Sequence, residues 1–270
     1  MTMLCDKVSR ADLTQFLSLV GDKYIAEEKF DGDRIRLSFK GGKVTLTNRR
    51  GIEVTERYPE LHNFDCYADI FLDGEMCVLD SDGVSQFNEG IAFRSHCKSA
   101  SSIAAAASQY PVTFVVFDIL EFKGENLRSK TYEERRNLLE RVGFSHPSVI
   151  ICEQFTDIQT AWNRMCTEGR EGLILKAKSS LYREGYRSVN WKKVKNVLDV
   201  DLRFTKYDVN PRGITVENSD GIRVAVGGQN QWKVRDKIDK AGTVTITVRH
   251  LGETKSGKLR QPVFAKLVVP

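Results

Sequence analysis

Lys29-Phe30-Asp31-Gly32-Asp33-Arg34 decides how the rest of the chain is read. The stretch follows two glutamates, Glu27 and Glu28. It runs into Ile35-Arg36-Leu37-Ser38-Phe39, whose alternation of apolar and polar side chains predicts a half-buried strand. A lysine, a carboxylate, a glycine and an arginine thus crowd the mouth of one strand. By itself K-x-D-G reads as a charged surface turn, because motifs this short arise often by chance. Four more stretches change that reading, since 71–75, 115–120, 171–176 and 191–195 also place lysines or carboxylates in or at the ends of apolar strands. Buried charges are costly unless they are paired or meet a charged ligand. An internal ion pair accounts for any one of these stretches, but a core has no need of so many. A nucleoside triphosphate with a divalent cation satisfies all of them, with lysines and arginines on the phosphates and carboxylates on the metal. A lysine crowded by other cations has a depressed pKa, which frees its amine as a nucleophile.

Outward from this stretch the pattern is mixed. Ser9 and Asp12 ahead of Leu13, Phe16, Leu17 and Val20, with Gly21 as the stop, predict a capped helix. Gly41-Gly42 predicts a hairpin into a strand over 43–47, and Asn48-Arg49-Arg50-Gly51 forms a second basic turn. A buried strand over 70–79 is interrupted by Asp73-Gly74-Glu75, and another over 112–120 carries Asp118. Helices are expected over 99–108, from the Thr131/Glu134 capping box to Gly143, and from a second box at Thr156/Gln159 to Gly169. Strands follow at 171–176 and 189–195.

Beyond about residue 198 the texture changes. Short alternating stretches at 201–207, 214–218, 222–226, 243–249 and 262–269 are separated by Asn-Pro, Asp-Gly, Gly-Gly and Ser-Gly turns, with one helix over 233–240. That pattern predicts a small β-barrel of the OB type. The charge divides at the same place. Residues 198–270 hold 13 Lys+Arg against 8 Asp+Glu, while the first 197 residues hold 28 of each, so the whole net charge of +5 lies in the last quarter. This is a modest electrostatic footprint for a polyanion. At 41% hydrophobic and 29% charged the composition is that of a globular protein, and no apolar run is long enough to span a membrane. The six cysteines are scattered without a C-x-x-C, which argues against a zinc site or disulfide framework and for a reducing intracellular setting. The N-terminus lacks the pattern of a secretory signal.

In order along the chain stand K-x-D-G-x-R, a basic R-x-G turn, an apolar D-G-E strand, F-D-I-L, E-G-L-I-L-K and W-x-K-x-K. Together they resemble the covalent nucleotidyltransferases, and within them the minimal ATP-dependent DNA ligases of viruses and phages, over roughly residues 25–270. The resemblance implies an α+β protein. A nucleotidyltransferase domain of ATP-grasp-like form, with antiparallel sheets and flanking helices, would cover 1–197, and a small OB-fold β-barrel domain 198–270. It implies that Lys29 is adenylated by ATP, that Glu27 reads the adenine amino group, and that Asp31 and Arg34 contact ribose and nick and support strand closure. Arg49 is then a phosphate-binding arginine, Glu75 a ribose or metal carboxylate, and Phe117 the ring stacked on adenine. Glu171 is the metal carboxylate, Lys193 and Lys195 lie on the α-phosphate, and Lys176 ends the strand that binds the nucleotide. The implied cofactors are ATP and Mg²⁺, with Mn²⁺ able to substitute, and the implied partner is nicked duplex DNA bound by a monomer.

Gly257-Lys-Leu-Arg-Gln-Pro-Val-Phe264 resembles the R-x-P-x-F signature of DNA ligases, which makes Arg260 the candidate for contacting the leaving pyrophosphate. The match is incomplete, because Val268 occupies the place of a second arginine and the sequence stops at Pro270. With 28 residues ahead of Lys29, the expectation is that DNA is clamped by two domains alone. An RNA ligase or a GTP-using mRNA-capping enzyme belongs to the same superfamily, and the Arg260 signature disfavours both. A non-catalytic OB protein with a decayed pocket is disfavoured by the intact motifs. Gly252-Glu-Thr-Lys-Ser-Gly-Lys258 nearly spells a phosphate-binding loop, but Leu259 stands where Ser/Thr is required, and a hairpin is the better reading. Trp191 is expected to pack rather than stack on a base, and Arg50 to face water.

Overall fold

The computed structural model describes residues 2–253 and 257–268. The chain forms two compact units, 1–195 and 196–270. In the first, two sheets are linked by the Lys29 stretch itself. One has the order Leu4–Lys7, Arg187–Lys195, Gly172–Ala177, Tyr24–Glu28, Gln154–Phe155. The other runs Lys43–Asn48, Asp33–Lys40, Ile70–Cys77, Thr113–Phe122, Glu125–Asn126, with Val149–Ile151 pairing alongside Thr113–Phe122. Residues 29–32 therefore leave one sheet and enter the other, so Lys29 stands at a crossover rather than simply at a strand start. Pairing is antiparallel as expected except at two places. Leu4–Lys7 runs parallel to Arg187–Lys195, and Val149–Ile151 parallel to Thr113–Phe122.

The alternation of side chains along each strand sorts charge from grease. In the first sheet Leu173, Leu175, Val194 and Ala26 point to one side, where they pack on Leu13 and on Ile158, Trp162 and Met165. Glu27, Ile174, Lys176, Trp191 and Lys193 occupy the other face. In the second sheet Ile35, Leu37, Leu72, Met76, Phe114 and Val116 build the main core. Arg34 lies opposite Glu75 in the register, and Arg36 opposite Asp73, on the reverse face. Ile25, Trp191, Leu120, Phe71, Phe117 and Tyr182 form one cluster between the two polar faces, so these faces look at each other. Close backbone approach fixes the crossover. A Cβ on Gly32 would sit 2.3 Å from the Met76 carbonyl oxygen, and one on Gly74 2.6 Å from the Phe114 ring.

Most predicted elements are present, with informative shifts. The Gly41-Gly42 hairpin forms with both glycines at positive φ. The Thr131/Glu134 capping box opens a helix over Tyr132–Val142. The second box does not form: Asp157, not Thr156, caps Ile158–Thr167, its carboxylate accepting the Thr160 N–H, because a charged acceptor one residue nearer outcompetes the hydroxyl. At the first helix Ser9 accepts the Asp12 N–H, closing a turn ahead of Leu13–Val20, and no side chain caps the helix.

The second unit has strands Leu198–Phe204, Lys206–Asn210, Gly213–Glu217, Arg223–Val226, Val244–His250 and Val263–Leu267, and a helix Gly228–Ala241 that starts five residues before the predicted one. The stretch expected as one strand over 201–207 breaks at Thr205. Among the described residues these strands bond as two three-stranded sheets rather than one closed ring. Both sheets and the helix share a single core of Phe204, Ile214, Val216, Val224, Val234, Ile238, Ile246 and their neighbours. The loop over 252–258 is framed by a bridge between Glu253 and Leu259, as a hairpin requires, and its residues 254–256 lie outside the described residues, as does Pro270. Among the described residues no helix is long and apolar enough to cross a membrane.

Candidate active site

The cleft between the two polar faces of the first unit is lined by Glu27, Lys29, Arg34, Arg49, Glu75, Phe117, Lys176, Trp191 and Lys193, together with Thr2, Leu4, Cys5 and Arg187. Lys29 donates to Glu171 Oε2 at 2.6 Å, and Lys195 pairs with Glu171 Oε1 at 2.8 Å, so one carboxylate holds two lysines. The strand register explains the meeting. Gly172, just after Glu171, lies opposite Lys195, and the Lys29 N–H donates to the Gly172 carbonyl at 2.9 Å. Gly172 has φ +141°, and a Cβ there would collide with the Val194 carbonyl oxygen.

Electrostatics differ from the expectation for Lys29. Burial alone would depress its pKa, but the carboxylates of Glu171 and Glu75 outweigh burial and raise it. Lys29 is therefore held as an ammonium, and the sequence expectation of a depressed pKa is corrected. The depressed lysine is Lys193, lowered by burial and by the neighbouring cations Lys29, Lys195 and Arg187. Glu75 is pushed up to about 7 by burial, against the pull of Lys29 and Arg34.

At the inner end, Glu27 is almost wholly buried. Its Oε2 meets Lys176 Nζ at 2.5 Å, while Oε1 accepts the Tyr132 hydroxyl and lies 3.5 Å from an Arg136 nitrogen. The Lys176 ammonium also donates to the Phe117 carbonyl at 3.1 Å. It stands 4.3–4.7 Å from the ring centroids of Trp191, Phe117 and Tyr132. Trp191 is buried with its indole N–H on Ser180, the packing role expected of it, although its ring reaches the cleft. Phe117 is partly exposed on the cleft wall rather than sunk in the core.

Asp73 and Glu75, which flank Gly74, take different surroundings. Asp73 is fully buried, gripping Arg34 through two bonds of 2.7 Å and accepting the Tyr182 hydroxyl at 2.5 Å, while Glu75 faces the cleft. Arg34 in turn lies 4.5 Å over the Phe117 ring. Asp31 is buried beside the crossover, its N–H donating to Ser85. Arg49 is exposed at the rim of the cleft, and Arg50 is exposed outside its lining. Arg260 belongs to the second unit, where its backbone bonds Leu251 and Gly252.

A family model for the ATP dependent DNA ligase domain matches residues 2–195. The chain belongs to the ATP-dependent DNA ligase family. This ligase is 29% identical over 257 residues to the SPbeta prophage-derived DNA ligase-like protein LigB of Bacillus subtilis (strain 168), a match covering 90% of this chain and 92% of that protein. A DNA ligase of Nitrosopumilus maritimus (strain SCM1) is 30% identical over 210 residues, 74% of this chain, and the ligase spans 35% of that relative's length. A solved Lig E DNA ligase has the same fold, with a TM-score of 0.69 at 20% identity over 99% of this chain and all of that one.

Sequence reasoning missed the residues that support the ligase's cleft. Tyr132 was visible only as the first residue after a cap, and Tyr182 lay in a loop with no periodicity. Arg170 was hidden beside Glu171. Its guanidinium binds both Glu28 oxygens, at 2.8 and 3.0 Å, and the carbonyls of Asp82 and Gly83, tying the loop below Asp31 to the strand before Lys29. The strand Leu4–Lys7, which contributes Leu4 and Cys5 to the cleft, is too short to announce itself.

Proposed function

We propose that this chain seals 3′-hydroxyl/5′-phosphate nicks in duplex DNA by passing AMP from ATP through Lys29. The observation that carries the reading is the Lys29–Glu171–Lys195 array, whose Lys29 lines a cleft that also presents Lys193, Arg49 and Glu75. Before Lys29 attacks, its proton must leave, and Glu171 Oε2 at 2.6 Å is the nearest acceptor. Attack on the α-phosphorus forms a P–N bond and breaks the P–O bond to pyrophosphate. Lys193 and Lys195 offset the negative charge that gathers on the α-phosphate. The AMP then moves to the 5′-phosphate of a nick, and attack by the 3′-hydroxyl expels it. Positioning and charge neutralisation supply most of such a rate enhancement.

At the inner end Glu27 accepts from the adenine 6-amine and Lys176 donates to the ring N1. Guanine presents an oxygen and an N–H at these places, so both contacts would be mismatched. Phe117 stacks on the base. Asp31 and Arg34, the latter pinned by Asp73, serve the ribose and the closing step. Among the described residues no group of three or more His, Cys, Asp or Glu is arranged to hold a metal ion by itself. Glu75 and Glu171 instead suit Mg²⁺ or Mn²⁺ shared with substrate phosphates, an ion that takes only one or two protein carboxylates in such sites. Bound there, the cation would neutralise phosphate charge.

We read residues 1–197 as the adenylation domain and 198–270 as a partly open OB-fold domain. Six short strands and one helix around a common core support the second assignment. Its excess of 13 basic over 8 acidic residues suits phosphate contacts with duplex DNA, and Arg260 is assigned to the leaving pyrophosphate. The test is sealing of an end-labelled nicked duplex with ATP, compared with GTP and with nicked RNA. ATP-dependent sealing of DNA, weakening steeply as salt is raised, is the expected result. A nick left open, or joined only in RNA or only with GTP, would overturn the reading.

A further inference from the structure

Glu27 is held by side chains from two other elements of the fold, and this arrangement carries an inference beyond the proposed reaction. A carboxylate offers about four lone-pair sites. Lys176 takes one on Oε2 and the Tyr132 hydroxyl takes one on Oε1, the oxygen that Arg136 also flanks at 3.5 Å. Arg136 is itself anchored by Glu140 at 2.8 Å. The Tyr132 hydroxyl in turn accepts from Gln154 Nε2 at 2.6 Å, so its own O–H has one direction left, toward Glu27. Tyr132, Arg136, Lys176 and Gln154 come from three separate elements: a helix, an inner strand and an edge strand. The result is an oriented carboxylate in the cleft lining, with a donor on each oxygen.

We propose that Tyr132, braced by Gln154, is the positioning residue that sets this enzyme's selectivity for a 6-amino purine nucleotide. It fixes the rotation of the Glu27 carboxylate so that a spare lone pair faces the base. Without the hydroxyl, Lys176 and Arg136 alone orient the carboxylate, and its free site turns from the cleft. The loss would then fall on the contact with the exocyclic amine rather than on the reacting end, where Lys29 and Glu171 are bonded independently of Tyr132. This inference rests on the reading of Glu27 as the base-reading residue.

The test compares label transfer to the protein from ATP and from purine riboside 5′-triphosphate, which has hydrogen in place of the amine, in wild type and Tyr132→Phe. Wild type is expected to prefer ATP, and Tyr132→Phe to lose about tenfold of that preference while its rate with the amine-free analogue stays within twofold, the size of one charge-assisted hydrogen bond. Gln154→Leu, which leaves the phenol in place, is expected to lose about threefold in the same direction, and it decides the matter if Tyr132→Phe does not fold. Equal losses with both nucleotides, or an unchanged preference in both variants, would overturn the inference. A wild type that takes no label from ATP would instead sink the ligase reading on which it stands.

Discussion

The two ends of the cleft use similar residues in opposite ways. At the inner end Glu27 and Lys176 are buried and their charges are matched: the carboxylate by Lys176, the Tyr132 hydroxyl and the flanking Arg136 guanidinium, the ammonium by a carboxylate, a carbonyl and three rings. At the outer end Glu171 bonds both Lys29 and Lys195, burial and neighbouring cations lower the pKa of Lys193, and desolvation pushes the half-buried Glu75 carboxyl up. A closed, balanced cluster can recognise a shape but has little left to exchange. An open, unbalanced one is completed by a ligand that brings negative charge and a cation. Recognition and reaction are thus separated along one cleft by how fully the charges are satisfied.

A third cluster takes no part in the cleft. Arg135 and Asp118 form two 2.7 Å bonds, both side chains fully buried. Asp118→Ala leaves that buried guanidinium without its counter-charge, bonded only to the Lys130 and Ser180 carbonyls, and is expected to cost about 3–5 kcal/mol of stability. Chemical denaturation checks this, and the ATP preference of the folded fraction should not move. Glu171→Gln is the counterpart at the outer end. Fold stability should be nearly kept, while the single-turnover rate of AMP transfer falls about 10²–10³-fold, as for loss of a central charge-stabilising group. A comparable loss of stability with an intact rate would erase the distinction between the clusters.

Acid titration separates the ends next. Burial pushes the Glu75 carboxyl up to about 7, so below that pH a proton competes with the cation and substrate for it. AMP transfer is expected to rise roughly tenfold per pH unit up to about 7 and then level, and Glu75→Gln should flatten that limb. The same group weakens folding as pH climbs from its ordinary range to about 7, since the unfolded chain releases the proton first. The smallest effects belong to the rim. Arg49→Ala should raise the ATP KM about tenfold through one lost charge-assisted bond, and Arg50→Ala, outside the cleft lining, should leave it unchanged.

How much was legible follows from the kind of order involved. The Gly41-Gly42 hairpin and the Thr131 capping box are local devices, and both could be read from neighbouring letters. The crossover at 29–32 could not, because Tyr24–Glu28 and Asp33–Lys40 look contiguous in sequence while joining different sheets. The site residues Lys29, Glu171 and Lys195 stood out as charges in apolar strands. Tyr132, Arg170 and Tyr182 did not, since their roles come from partners more than a hundred positions away, or from loops. The Lys29 environment was misjudged for a related reason. Counting nearby cations in sequence overlooks the carboxylate of Glu171, which only strand pairing brings to the amine.

The amine of Lys29 is the group proposed to accept AMP. Intact-protein and peptide mass spectrometry after exposure to ATP and Mg²⁺ tests it directly. One AMP should appear on the peptide carrying Lys29, leave on addition of pyrophosphate, and be absent from Lys29→Ala. AMP on another residue, or none on protein shown to start unmodified, would contradict the account.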